Sequence, residues 1–217
     1  MTQDELQELF PTMVIVEVAT EADEDDSLLH PAELALTGTM IPARKREFAA
    51  GRNAARRALT RLGLHDATLV RRPSSYDVLW PEGIAGSISH TRGLRAVACV
   101  RSSEVLSVGL DVELAGPLGE EIINAICRAE ELEAFAHSPK PLPSDWPRLI
   151  FAMKEAAYKA LFPVLRRVLT FHDVRVDVNP SLRSYRAAVL DQPLAGLQVA
   201  GRFTWDDIYV AAGAVLS

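Results

Sequence analysis

A long helical pattern followed by short apolar strands occurs twice along this chain, and that repetition limits its fold more than any other feature. Pro42 to Leu62 reads as one helix, with Pro42 at its start, Phe48, Ala55, Leu59 and Leu62 as its apolar stripe, and Gly63 as its C-cap. Gly51 falls beside that stripe, where a missing side chain permits close packing. A strand is expected before it, from Met13 to Ala19. After a loop from Arg71 to Gly83, rich in proline, serine and glycine, two more are expected, Gly86–Ser89 and Arg95–Val100, joined by a turn at Thr91–Gly93. Ser102-Ser103-Glu104 is a polar break. Beyond it come a strand from Leu106 to Glu113 and a helix from Glu120 to Phe135. A loop constrained by Pro139, Pro141, Pro143 and Pro147 precedes a helix that starts near Asp145 and runs through Phe151 to Phe162. Four further strands follow: Val174–Val178, Tyr185–Leu190, Leu197–Thr204 and Ile208–Ala214. The pattern predicts an α+β protein of two similar-sized lobes, residues 1–103 and 104–217.

Chemistry concentrates in the second lobe. Asp111 and Glu113 lie two apart on an apolar strand, so alternation puts both on one face. Glu155 and Lys159 lie four apart on a helix and share a side. As an edge-strand pair and a surface helix pair these would be ordinary. Yet Asp111 and Glu113 end an apolar strand, and Glu155 is set among Phe151, Ala152, Met153 and Tyr158. Carboxylates so placed need a partner or a metal to offset desolvation. Three convergent acids with Lys154 and Lys159 beside them point to a hard divalent cation handling phosphate oxygens.

Charge narrows the partner. The chain has 217 residues, 48% hydrophobic and 24% charged, with a net charge of −6. That is ordinary globular usage and argues against a general nucleic-acid binder. No apolar run approaches the ~20 residues of a membrane span. The N-terminus, Met1-Thr2-Gln3-Asp4-Glu5, lacks the basic region of a secretory signal. Cys99 and Cys127 fit no zinc spacing and read as small buried hydrophobes. A cytoplasmic location is expected. The acidic run Glu21–Asp26 reads as a solvated loop. The stretch 44–72 is basic, with Arg44 and Arg52 within about 80° of each other on a helix. One local basic patch on an acidic protein suits a small anionic ligand. The turn Gly86-Ser87-Ile88-Ser89-His90-Thr91 offers hydroxyls and an imidazole. It is neither a nucleophile elbow nor a zinc motif. A metal-dependent nuclease is disfavoured, because Leu114 and Ala115 follow Glu113 where that pattern needs a lysine.

Four motifs in one order carry a resemblance. They are Arg44–Arg56 (RKREFAAGRNAAR), Trp80–Thr91 (WPEGIAGSISHT), Gly109–Glu113 (GLDVE) and Phe151–Lys159 (FAMKEAAYK). Together they resemble the 4′-phosphopantetheinyl transferases, surfactin-type group, in a branch similar to enterobactin-synthase component D. The resemblance implies a pseudo-dimer of two α/β lobes with the ligand site at their interface. It implies a magnesium-dependent enzyme, with manganese as a substitute ion, that uses coenzyme A as co-substrate. Its partner would be an apo acyl, peptidyl or aryl carrier protein, and its products the holo-carrier and 3′,5′-ADP. Siderophore, non-ribosomal peptide and polyketide assembly are the settings such carriers serve. By motif, Asp111, Glu113 and Glu155 resemble the metal-binding acids, and Glu155 the group that helps deprotonate the carrier serine. Lys154 and Lys159 resemble pyrophosphate contacts. Ser89, His90, Arg44 and Arg52 resemble contacts to the coenzyme A phosphates. Arg72 is the nearest substitute for a basic-Gly-Pro nucleotide contact that Arg71–Tyr76 lacks. One chain supplying both lobes implies a monomer. A non-catalytic coenzyme A- or carrier-binding protein of the same fold is the alternative.

Overall fold

The computed structural model describes residues 1–71, 77–136, 145–191, 194 and 196–217. Two antiparallel sheets organise them. Strands β1 (Ile15–Val18), β2 (Ile84–Thr91) and β3 (Leu94–Arg101) form the first, in the order β1-β3-β2. Strands β4 (Ser107–Leu114), β5 (Val174–Asn179), β6 (Ser184–Val189), β7 (Gln198–Trp205) and β8 (Tyr209–Leu216) form the second, in the order β4-β8-β7-β6-β5. The helices are α1 (Gln3–Gln7), α2 (Pro31–Leu34), α3 (Pro42–Arg61), α4 (Glu120–Ile126), α5 (Ala129–Ala136) and α6 (Trp146–Leu165).

Each sheet carries one helix of 20 residues. On the first, Val97 and Cys99 of β3 face α3, meeting Ala54, Ala55, Ala58 and Leu59. The alternate residues Ala96, Ala98 and Val100 face the other way, onto Val108, Leu110 and Val112 of β4. On the second sheet, Met153, Ala156 and Ala160 of α6 pack on Tyr185, Phe203, Ala212 and their neighbours. Gly109 lets α6 close on β4, since a Cβ there would stand 1.8 Å from the Ala156 carbonyl oxygen.

Between the two sheets, β2 presents side-chain hydroxyls to the backbone of β4. Ser87 Oγ accepts from the Leu110 N–H at 3.0 Å, and Ser89 Oγ from the Val112 N–H at 3.2 Å. These hydroxyls fill positions that a neighbouring strand would otherwise take on the free edge of β4.

Three sequence expectations change. The helix expected over Glu120–Phe135 is two, broken where Cys127 adopts extended backbone (φ −91°, ψ 138°) and turns into the core. The last helix continues through Pro163 to Leu165 and ends at Arg166 in the left-handed region. The acidic run is not a solvated loop. It forms short 3-10 turns whose acids pair with α3: Asp26 with Lys45, Glu24 with Arg46 at 3.7 Å, and Asp23 with Arg57. Glu17 also binds Arg57 (3.2 Å) and Arg61 (2.8 Å), and the buried Glu33 binds Arg56 at 2.5 Å. Much of the basic helix is therefore neutralised from within. Pro139, Pro141 and Pro143 lie outside the described residues. Among the described residues no helix is long and apolar enough to cross a membrane.

Candidate active site

Asp111 is the centre of the polar contacts that join β2, β4 and α6. It sits on β4, 4% exposed. Its Oδ1 accepts from Lys159 Nζ at 2.6 Å and from Ser89 Oγ at 3.0 Å. Lys159 also donates to Ser89 Oγ and to the Leu110 carbonyl, each at 3.2 Å. One strand from each lobe and helix α6 thus meet on a single carboxylate. The other oxygen, Asp111 Oδ2, is buried with no hydrogen-bond partner among the described residues. A buried anionic oxygen left so is costly and calls for a donor or a cation.

Glu113 and Glu155 flank it. Burial pushes the Glu155 carboxyl up, with the Asp111 charge adding to the rise and Lys159 opposing it. Burial likewise raises Glu113, again with Asp111, while Arg148 and Lys159 pull the other way. Arg148 Nη1 stands 3.7 Å from Glu113 Oε2. The sequence reading missed Arg148. Its signal is position: it lies seven residues before Glu155, two turns away and within about 20° on the same helix face. A cation therefore stands at each end of the acidic row, Lys159 at Asp111 and Arg148 at Glu113.

The donor chemistry fits a hard divalent cation, because all three candidate ligands are carboxylates and one buried oxygen lacks a partner. The acids do not form a closed cage: among the described residues no three His, Cys, Asp or Glu side chains stand together as a ligand group.

A second polar cluster lies at the end of β2. Arg44, in the first turn of α3, donates from Nη1 to His90 Nε2 at 2.8 Å and to Glu47 at 3.0 Å. The imidazole proton is thereby left to Nδ1. Burial and the Arg44 charge hold the His90 pKa below its ordinary value.

Two other expected contacts lie elsewhere. Arg52 is 6% exposed, with Nε donating to the Leu69 carbonyl at 2.7 Å and its guanidinium 4.5 Å over the Phe48 ring. Burial brings its pKa down to about 10. It braces the first lobe from inside and does not join Arg44. Lys154 is 1% exposed and points into the second lobe. Its ammonium donates to the carbonyls of Ile126 and Phe171, both at 2.9 Å, and pairs with Glu131 at 2.8 Å. Successive helix residues diverge by about 100°, so Lys154 and Glu155 do not share an aspect. Arg72 lies outside the described residues.

From Glu155 and Lys159 a cleft of about 690 Å³ runs between β2 and α6. One wall is β2 with Trp80; the other is the C-terminal half of α6, with Tyr158 and Phe162. It is polar at the end nearest Asp111 and mostly apolar beyond. At its far end Arg166 of the second lobe meets Asp77 of the first at 2.7 Å.

The arrangement suits positioning a phosphorylated ligand with a long, partly apolar extension. Residues 32–100 match the family model of the 4′-phosphopantetheinyl transferase N-terminal domain. Residues 107–206 match that of the 4′-phosphopantetheinyl transferase superfamily. The chain is 35% identical over 199 residues to 4′-phosphopantetheinyl transferase Svp of Streptomyces mobaraensis, an overlap of 89% of this chain and 78% of that protein. It is 34% identical over 148 residues to 4′-phosphopantetheinyl transferase PptT of Mycobacterium tuberculosis, 67% of this chain and 63% of that one. With enterobactin synthase component D of Salmonella typhimurium it shares 33% over 121 residues, 54% of this chain and 48% of that relative. The likeness to component D thus covers about half the chain, and that to Svp most of it.

Proposed function

The chain belongs to the 4′-phosphopantetheinyl transferase superfamily, and on that premise we propose that it moves the 4′-phosphopantetheine arm of coenzyme A onto a serine of an apo carrier protein. The observation that carries this reading is the junction of Lys159, Ser89 and Asp111 across the lobes at the mouth of the cleft. A 20-residue helix on each of the two sheets supports reading them as the halves of a pseudo-dimer.

In this reading Asp111, Glu113 and Glu155 would hold magnesium or manganese. When bound, the ion supplies charge neutralisation to the pyrophosphate oxygens. Arg44 and His90 take the nucleotide phosphates, a forked donor and an imidazole side by side. Lys159 donates to the pyrophosphate and to the oxygen that leaves. The apolar reach of the cleft, past Tyr158 and Phe162, accommodates the pantetheine arm.

The bond changes then follow. The carrier serine Oγ attacks the phosphorus that bears the arm, and a new P–O bond joins serine to phosphopantetheine. The bond from that phosphorus to the bridging oxygen breaks, and 3′,5′-ADP leaves with the electron pair. The serine proton passes to Glu155, directly or through water. Little covalent chemistry falls to this chain, whose work is placement and charge. Lys154 takes an anchoring role in place of the pyrophosphate contact that the motif implies.

The carrier is an acyl, peptidyl or aryl carrier domain, and one chain suffices because it supplies both lobes. Incubation with coenzyme A, magnesium and a panel of apo-carriers, followed by mass spectrometry, tests the reading. The expected result is one added arm, lost on chelation and lost in Asp111→Ala with far-UV circular dichroism unchanged. Coenzyme A binding with no transfer to any carrier would instead favour a non-catalytic binder.

A further inference from the structure

The cleft runs past Tyr158 and Phe162 to a charged end. Its far end is crossed by the ion pair Asp77–Arg166, at 2.7 Å. Both partners are held. Arg166 follows α6 in the left-handed region (φ 53°), with its own N–H donating to the Phe162 carbonyl at 2.9 Å. Asp77 precedes Val78 and Leu79, which are fixed by a β-bridge from Val78 to Arg71 and by an N–H of Leu79 donating to the Val70 carbonyl at 2.8 Å. The pair therefore joins the two walls from anchored backbone on each side.

Its surroundings are not what an ion pair prefers. Leu106, Val164 and Val168 line the same end of the cleft, and they are 57%, 47% and 75% exposed. Apolar surface thus begins inside the cleft with Tyr158 and Phe162 and continues at its rim beside the charged bar. A ligand ending inside the cleft would leave the bar intact. One carrying an alkyl chain farther would have to displace the bar before reaching that outer apolar surface.

We propose that Asp77 and Arg166 determine specificity at the arm's distal end, favouring coenzyme A with a free thiol over coenzyme A acylated on sulfur. Leu106, Val164 and Val168 are the surface on which the acyl chain lies once the bar is removed. The inference rests on the proposed function, since it takes the arm to occupy this cleft. The transfer itself is unaltered: the same P–O bond forms and the same one breaks, and the thioester travels uncut with the arm.

The test is competition between coenzyme A and octanoyl-coenzyme A for one apo-carrier, with products separated by mass. The readout is the ratio of octanoyl-arm to free arm on the carrier. In Asp77→Asn and in Arg166→Gln that ratio should rise by about tenfold or more over the unmodified enzyme, the scale on which pockets discriminate small apolar groups. The exchanged double variant, Asp77→Arg with Arg166→Asp, should bring it back down. An unchanged ratio in both single variants, including a parallel loss of both products, overturns the inference while leaving the proposed function standing. A correctly folded unmodified enzyme that transfers neither arm overturns both.

Discussion

Two effects act together to lower the His90 pKa, partial desolvation of its ring and the Arg44 guanidinium donating to Nε2. The unfolded chain therefore takes up a proton here at higher pH than the folded one. The stability this contributes is whole above the ordinary histidine range and is lost as pH falls through that range towards the lowered folded value. In an imidazole NMR titration His90 should show a midpoint below that of an unperturbed histidine, and Arg44→Gln should move it upward. Adding coenzyme A should raise it too, because a phosphate beside the ring favours imidazolium. A midpoint at or above the ordinary value would remove His90 from this Arg-paired, partly desolvated setting. Asp111 presents the opposite case. Its Oδ1 is satisfied twice and its Oδ2 not at all among the described residues, so the residue is poised for a ligand that arrives from outside the chain.

At the scale of elements, the site depends on how closely α6 lies on β4. Gly109→Ala would place a methyl 1.8 Å from the Ala156 carbonyl oxygen and 2.8 Å from the Ala160 N. These are backbone atoms and cannot swing aside, so the helix that carries Glu155 and Lys159 must shift. The substitution should cost about 3 kcal/mol in urea unfolding, and turnover should fall further than the loss of folded protein explains. Unchanged stability would mean the helix is more loosely seated than described. Element positions were legible in the sequence because the pattern was strong: α3 runs Pro42–Arg61 as the apolar stripe implied, and β4 keeps Asp111 and Glu113 in line. The break at Cys127 was not legible, because no glycine or proline falls between Glu120 and Ala136 to mark it. Within the site, Asp111, Ser89 and Lys159 were all marked by motif and the structure brings them together. Lys154 and Arg52 were marked by the same motifs. Their burial depends on which neighbours Ile126, Phe171 and Leu69 become, and no local spacing encodes that. Asp77 and Arg166 are 89 residues apart and carry no local signal.

Across the whole molecule, one apolar cluster is shared by both lobes. Leu6, Leu9 and Phe10, in and just after α1, pack with β1 and β3 of the first sheet and with Val108, Leu110, Val112 and Ala211 of the second. Gly213 of β8 leaves room for them: a Cβ there would come within 2.8 Å of the Phe10 ring. Phe10→Ala should therefore destabilise the protein by about 3–5 kcal/mol, and it should do so as a single transition. Tryptophan probes in the two lobes, Trp80 in one and Trp205 in the other, should report the same midpoint before and after the substitution. Two separated midpoints in the parent would show that the lobes unfold independently.

The place of β8 in the second sheet has a consequence for how the enzyme comes into being. Strand β4, which bears Asp111 and Glu113, pairs along its whole length with β8 and with no other strand of that sheet. Yet β8 is translated after all of α4 to α6 and β5 to β7. At roughly 5–20 residues per second, the nascent chain spends several seconds with its acidic strand lacking its only ladder. The candidate site therefore closes only after β8 has emerged, and translation products that stop before Tyr209 should be inert.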